Sequence, residues 1–199
     1  FRSGPADQFV SLDQRFKPQP PDATNLGDAM RSLLSQALDS QFPAHPEFQV
    51  PVKIGHLRKV ADYVAKAVAS GQMSTREVER RDYDIMRGIA EPLELGRHNE
   101  NVFHLGEAWS DRFKRYLNQH PDETVTVADL RACCDQPEPR GLQKNLANLV
   151  IWTFALQTDH RFTEHGGPAD VTFEQLHDGL ELRAQTLPEE AVWKAAIAR

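Results

Sequence analysis

The chain has 199 residues, 40% hydrophobic and 26% charged, enough apolar side chain to bury the core of one large domain or two small ones. Its net charge of -6 and sequence pI of about 5.7 exclude a global positive field that would draw nucleic acid or anionic lipid, so any such contact has to be local. Its only cysteines, Cys133 and Cys134, are adjacent and offer no disulfide framework, and no apolar run reaches the roughly 18 residues of a spanning helix, which makes the cytoplasm the simplest address and predicts no membrane partner.

Residues 1–24 read as an extended arm or linker. Phe1-Arg2-Ser3-Gly4 is too polar for a secretory signal, and so abrupt an opening reads as a piece of something larger. A weak amphipathic patch at Phe9, Val10, Leu12 and Phe16 precedes Lys17-Pro18-Gln19-Pro20-Pro21, whose prolines remove donors and enforce an extended path. Residues 25–104 read as a helical region. Asn25 is placed to cap a helix carrying Leu26, Met30, Leu33, Leu34, Ala37 and Leu38 at three- and four-residue spacing, which Pro43 stops. The proline-rich Phe42–Phe48 stretch, aromatic at both ends, is expected to clamp two helices together.

A second helix follows from Ile54, Leu57, Val60, Ala61, Val64 and Val68, closed by Ser70-Gly71, with Lys53, His56, Arg58, Lys59 and Lys66 on its basic side. Ser74-Thr75-Arg76-Glu77 has the spacing of a capping box, and Val78, Ile85, Met86, Ile89 and Leu93 predict a third helix to about Leu95, frayed near Pro92. His98-Asn99-Glu100-Asn101 then reads as its exit loop.

Residues 105–199 read as a winged-helix-like domain with C-terminal helices. A fourth helix over Gly106–Asn118 sets Trp109, Phe113, Tyr116 and Leu117 against Arg112, Lys114 and Arg115. Thr126-Val127-Ala128-Asp129 caps a short helix through Leu130 and Cys134, and Gln136-Pro137-Glu138-Pro139 turns. Pro139-Arg140-Gly141 then opens a long, nearly all-apolar helix from Leu142 to Leu156. His160-Arg161-Phe162-Thr163 and a Gly166-Gly167-Pro168 turn supply a hairpin, giving the order of a winged helix-turn-helix. Thr172-Phe173-Glu174-Gln175 starts a short helix or extended segment through Leu176, Leu180 and Leu182, and Thr186-Leu187-Pro188-Glu189 opens a terminal helix with Val192, Trp193 and Ile197. The fold class expected is mainly α, a helical bundle followed by a winged-helix-like domain with a short β-hairpin.

No catalytic motif emerges. Gly-x-Ser-x-Gly, Gly-x4-Gly-Lys-Ser/Thr and Gly-x-Gly-x2-Gly are absent, so neither a nucleophilic hydrolase nor an ordinary nucleotide hydrolase is expected of this chain, and no cofactor is implied. The best metal-like group, His160, Glu164 and His165 with His177 beyond, does not converge on a hairpin whose side chains alternate between faces. Of contact residues, the candidates are Arg140, Lys144 and Arg161 in the winged-helix order and Lys53, Arg58 and Lys59 on the second helix. They would meet duplex DNA or a protein partner. Against DNA stands the apolar third helix of the motif, together with eight acidic against seven basic residues between Glu107 and Thr163.

Phe42-Pro43-Ala44-His45-Pro46-Glu47-Phe48, Arg140-Gly141-Leu142, Leu149-Val150, Phe154-Ala155-Leu156-Gln157-Thr158-Asp159, His165-Gly166-Gly167-Pro168 and Glu181-Leu182-Arg183-Ala184-Gln185 with Leu187-Pro188 and Trp193 together resemble the PglY-type large ATP-binding proteins of bacterial phage-growth-limitation and BREX phage-defence islands. The resemblance covers residues 25–60 and 124–199. That family's nucleotide-hydrolysing core carries a phosphate-binding loop, which has no match here, so no catalytic residue carries over. The resemblance implies a non-catalytic interaction module of a multi-domain ATPase, with other subunits or domains of a defence complex as partners and double-stranded DNA as a further candidate. The reading from another class is an autonomous winged-helix DNA-binding transcriptional regulator.

Overall fold

The computed structural model describes residues 16–121 and 123–185, and they fall into two compact units. The predicted patch residues Phe9, Val10 and Leu12 and the predicted terminal helix at 186–197 lie outside the described residues.

One unit comprises Phe1–His45 and Asp135–Gly141. Its helix, α1 (Leu26–Gln41), begins where predicted, because the Asn25 carboxamide oxygen accepts the Asp28 N–H at 2.9 Å and relieves one orphan donor of the first turn. No α1 residue is fully buried. After α1, Phe42 packs on Gly141, where an added Cβ would stand 2.5 Å from the ring, and the Ala44 N–H donates to the Pro139 carbonyl at 3.2 Å. The Phe42 end of the proline-rich stretch thus grips a loop of its own unit, whereas two helices were expected. Asp135 organises that loop by accepting the N–H groups of Arg140 and Gly141, both at 2.9 Å. Gly141 has φ +57°, a left-handed conformation that ends the expectation of a helix opening at Pro139.

The other unit holds Pro46–Cys134 and Leu142–Arg199. Helix α2 (Ile54–Ala69) buries Leu57, Val60, Ala61, Tyr63, Val64 and Ala67, the predicted stripe shifted slightly around the axis. The predicted third helix is replaced by several short pieces. Ser74–Thr75 form strand β1, followed by a 3-10 turn (Arg80–Asp82), α3 (Tyr83–Ile85) and a π-helical turn (Met86–Ala90). The π turn is closed by the Glu91 N–H on the Met86 carbonyl at 3.1 Å. Val78, Ile85, Met86, Ile89 and Leu93 are nonetheless all buried, so the apolar pattern marks the core while the element type is different.

The predicted exit loop is a hairpin. Strands β2 (Gly96–Asn99) and β3 (Val102–Leu105) pair antiparallel, and β1 adds to the far side of β3. Gly96 is required there, since a Cβ would stand 2.2 Å from the His104 carbonyl oxygen. Helix α4 (Ala108–Gln119) buries Trp109 and Phe113 and is tied down by the Trp109 Nε1–H on the Leu93 carbonyl at 2.6 Å. Helix α5 (Val127–Cys134) is capped reciprocally by Thr126 and Asp129, as predicted, and buries both cysteines.

Helix α6 (Lys144–Gln157) lies at the centre of this unit, packed on α2, α4 and α5. Beyond it, β4 (His160–Glu164) and β5 (Gly167–Ala169) form the predicted hairpin, with its turn at His165-Gly166 where Gly166-Gly167-Pro168 was expected, and a capping box of Thr172 and Gln175 opens a 3-10 turn (Phe173–Gln175). Strand β6 (Glu181–Ala184) pairs with the other side of β4, and a bridge from Thr126 to Glu181 extends this second sheet toward the start of α5. Pro168 stands in the edge strand β5 without an N–H to offer, and the His98 N–H on the edge strand β2 is taken by Glu91 at 2.7 Å. With two three-stranded antiparallel sheets beside six α-helices among the described residues, the fold is mixed where mainly α was expected. The strands of the first sheet, β1, β2 and β3, were missed because each is only two to four residues long.

Candidate functional site

The six predicted contact residues do not share one element, and Arg58 and Lys59 form ion pairs within their own unit. On α2, the Arg58 guanidinium clasps Glu174 of the 3-10 turn after β5 through Nε at 2.7 Å and Nη2 at 2.9 Å. Each group stabilises the charge of the other, holding the Glu174 carboxyl below and the Arg58 guanidinium above their ordinary ranges. Lys59, next along the helix, bonds the buried Asp82 carboxylate, which also accepts the Tyr63 hydroxyl at 2.9 Å. Burial pushes the Asp82 carboxyl up, but the hydrogen bonds from Lys59 and Tyr63 outweigh it and leave it below the usual carboxylate range. The Tyr63 oxygen in turn accepts the Glu79 N–H at 3.1 Å, so this cluster fastens the 79–82 turn to α2 beside a cavity of about 330 Å³.

Lys53 is exposed at the N-cap of α2 and Lys144 is exposed at the first turn of α6. Arg161 lies on β4 directly across from Arg183 on β6, both exposed. Arg183 is neutralised within its own strand by Glu181 at 2.8 Å, whereas the Arg161 Nε–H donates to the neutral Gln185 amide at 3.2 Å. Arg140 belongs to the loop organised by Asp135 in the other unit.

Predicted metal-like residues are dispersed. His160 Nδ1 meets the Thr158 hydroxyl at 2.8 Å, His177 pairs with Glu164 at 3.2 Å, and His165 occupies the hairpin turn at φ +50°. Among the described residues, no three His, Cys, Asp or Glu side chains form a metal-holding group.

Two polar features escaped the sequence reading. Arg131 of α5 reaches across to Asn148 of α6, to the Leu176 carbonyl at 2.9 Å and to Asp178, and burial holds its guanidinium below the ordinary arginine range. Asn148, fully buried, returns its amide hydrogens to the carbonyls of Phe173 at 2.8 Å and Leu176 at 3.1 Å. An asparagine inside an otherwise apolar helix was the available signal, because a buried amide needs partners. The second is His98, 3% exposed, its ring tilted by 50° against that of Tyr83 with centroids 4.5 Å apart, and with no hydrogen-bond partner for either ring nitrogen among the described residues. Nothing in its polar surroundings along the sequence announces burial.

The long helix that the sequence offered as a DNA-reading candidate is mostly core. In α6 only Lys144 and Asn145 are exposed, Trp152, Leu156 and Gln157 are half-buried, and Leu146–Ile151 and Thr153–Ala155 are buried. Trp152 and Leu156 form one wall of a groove of about 250 Å³ against Phe162 and Arg161 of β4 and Val171 beyond β5. No helix among the described residues is long and apolar enough to cross a membrane. No solved structure matches the chain. The family model described as the BREX system ATPase PglY protein 5th domain does match, over residues 55–155, from the start of α2 into the last turns of α6. The chain therefore belongs to the PglY family of BREX phage-defence ATPases and carries that fifth domain.

Proposed function

We propose that this chain is a non-catalytic interaction module of the BREX ATPase, working in the cytoplasm and contacting other domains or subunits of the defence complex through protein surfaces. The observation that carries this reading is the burial of α6. A helix of the winged-helix order that is to read a major groove must present a polar face, and α6 spends its length inside the core. The succession of α4, the Thr126 bridge, α5, α6, β4 and β6 supports a winged-helix-like architecture, used here for packing. Local neutralisation of Arg58 and Lys59 removes two of the cations a phosphate-tracking surface would use. The absence of a phosphate-binding loop from the sequence supports a role beside the hydrolytic core.

The test is binding to labelled duplex DNA across a salt series, with the Arg140→Glu, Lys144→Glu, Arg161→Glu triple variant alongside. Protein-only contact predicts no binding at low salt. Salt-sensitive binding that the triple variant loses would overturn it in favour of phosphate contact by these three residues.

A further inference from the structure

The outer edge of the first sheet is closed by a side chain. Strand β2 pairs with β3 on one side only, and beyond that pairing the His98 N–H donates to Glu91 Oε1 at 2.7 Å. A carboxylate so placed covers a donor that an edge strand would otherwise show to solvent. Glu91 is half-buried, and with Gly96 and Arg97 it lines a cavity of about 350 Å³ that leaves it room to move. The backbone is left-handed on both sides of β2, with φ +57° at Glu94 and +52° at Glu100, a conformation that residues other than glycine hold only under constraint.

The imidazole of the same residue lies on the buried face of the strand. It is 3% exposed, and neither ring nitrogen has a hydrogen-bond partner among the described residues. Helix α3 sets the Tyr83 ring against it, and β3 sets the uncharged Phe103 directly opposite. Two charges act on the ring: Arg87 of the π turn opposes a positive charge there, and Glu91, whose N–H closes that turn, favours one. Arg97 and His104 belong to the exposed face of the sheet.

A neutral imidazole is tolerated in such a site at the cost of unmade hydrogen bonds, whereas an imidazolium brings a charge and two donors that a dry core cannot satisfy. Of the two charged neighbours only Glu91 can accept a hydrogen bond, and in the closed arrangement neither ring nitrogen reaches it. Pairing the two therefore requires movement.

We propose that His98 and Glu91 form a proton-operated latch on this edge: on taking up a proton the imidazole leaves Tyr83 to pair with the Glu91 carboxylate, the bond from the His98 N–H is given up, and β2 is released while the rest of its unit stays folded. The proton comes from solvent and no other group changes charge. The latch opens as pH falls below the ordinary histidine value of about 6.5, where the released imidazole is charged and the buried one is not. It regulates whether the outer edge of β2 is closed or shows its main-chain groups. The latch is independent of the reading of α6 as core.

Amide hydrogen exchange of the whole chain, read residue by residue by NMR between about pH 7.5 and pH 5 and corrected for the intrinsic pH dependence of exchange, tests the latch. Residues 96–99 are expected to lose protection in acid while Leu149–Ala155 of α6 keep theirs. His98→Phe, which keeps a ring against Tyr83, is expected to abolish that loss. Glu91→Gln leaves the buried ring untouched and keeps an oxygen for the His98 N–H, but offers the imidazolium no negative charge. Its β2 should match the parent's protection at pH 7.5 and open at a lower pH. A Glu91→Gln midpoint that does not move to lower pH would show that Glu91 only caps the strand and would overturn the proposal. So would a parent chain whose β2 stays protected at pH 5, a loss shared equally by α6, or a folded His98→Phe variant that opens as the parent does.

Discussion

The guanidinium of Arg131 holds the side-chain oxygen of Asn148 between two of its donors, Nε at 2.9 Å and Nη2 at 2.6 Å, and so joins α5 to the most buried helix of the fold. Every hydrogen-bonding position of the Asn148 amide is used, two bonds to its oxygen and two from its nitrogen. The 173–178 loop, which carries the Glu174 partner of Arg58, is thereby fastened to the core from inside.

Replacing Arg131 by methionine keeps the apolar stem but leaves the Asn148 oxygen without its donors in a dry interior. Asp178, the charged partner, is largely exposed, so the loss is that of a buried acceptor left unsatisfied, about 1–3 kcal/mol. Urea denaturation measures it. Because the two residues act as a unit, the Arg131→Met, Asn148→Leu double variant should lose clearly less than the sum of the single losses. Additive losses would mean that the pair is not coupled.

How far all this could be read from the chain depends on which signal each residue sends. Helices α1, α2, α4, α5 and α6 announce themselves, because apolar residues recur at helical spacing and Asn25 and Thr126 cap two of them. The segment from Ser74 to Leu95 sends the same signal falsely. Its apolar residues face one core, as they would from a helix, but the chain passes through a strand, a 3-10 turn and a π turn before Glu94, at φ +57°, leads it out. Strand β2 was invisible since Gly96-Arg97-His98-Asn99 has no apolar side chain to alternate, the Phe103-His104-Leu105 alternation of β3 is too short to stand out alone, and the reason for Gly96 lies in the opposing carbonyl of His104. Charges at the candidate site were legible and their partners were not: Arg58 and Glu174 stand 116 positions apart. Leu26, Met30, Leu34 and Leu38 of α1, exposed in the structure, looked in sequence like any core-facing stripe, because periodicity tells which side chains share a face and not what covers it.

His98 makes the stability of the fold depend on pH. Burial, reinforced by the charge of Arg87 and only partly opposed by Glu91, holds its imidazole below the ordinary value of 6.5. The unfolded chain therefore binds this proton more readily than the folded one, and stability falls as pH drops from about 6.5 toward the lower folded value, where both states are charged and the loss levels off. His98→Phe keeps a ring against Tyr83 and removes the titration. The denaturation midpoint of the variant should fall less than that of the parent between pH 7.5 and pH 5, measured in matched buffers. Equal slopes for the two proteins would show that His98 does not carry the effect.

Two ion pairs of α2, Arg58 with Glu174 and Lys59 with Asp82, predict opposite outcomes. Arg58 and Glu174 meet in solvent, where screening and the entropy of fixing two long side chains cancel most of the attraction, so Glu174→Gln should leave the melting temperature within error of the parent. Asp82 is 3% exposed and receives both Lys59 and Tyr63, so Asp82→Ala strands a buried hydroxyl and undoes the tie between α2 and the 79–82 turn. Charge-assisted hydrogen bonds of this kind contribute about 1.5–3 kcal/mol, which sets the expected loss. Its pH dependence has the opposite sense to a retained proton. The folded Asp82 carboxyl titrates below its ordinary 3.8, so the contribution is complete above that value and disappears as pH falls through it toward the depressed folded value. Thermal melts of both variants at pH 7 and near pH 3 test this. Asp82→Ala should differ from the parent strongly at pH 7 and much less near pH 3, and a Glu174→Gln loss as large as that of Asp82→Ala would contradict the assignment of the buried pair as the one that matters.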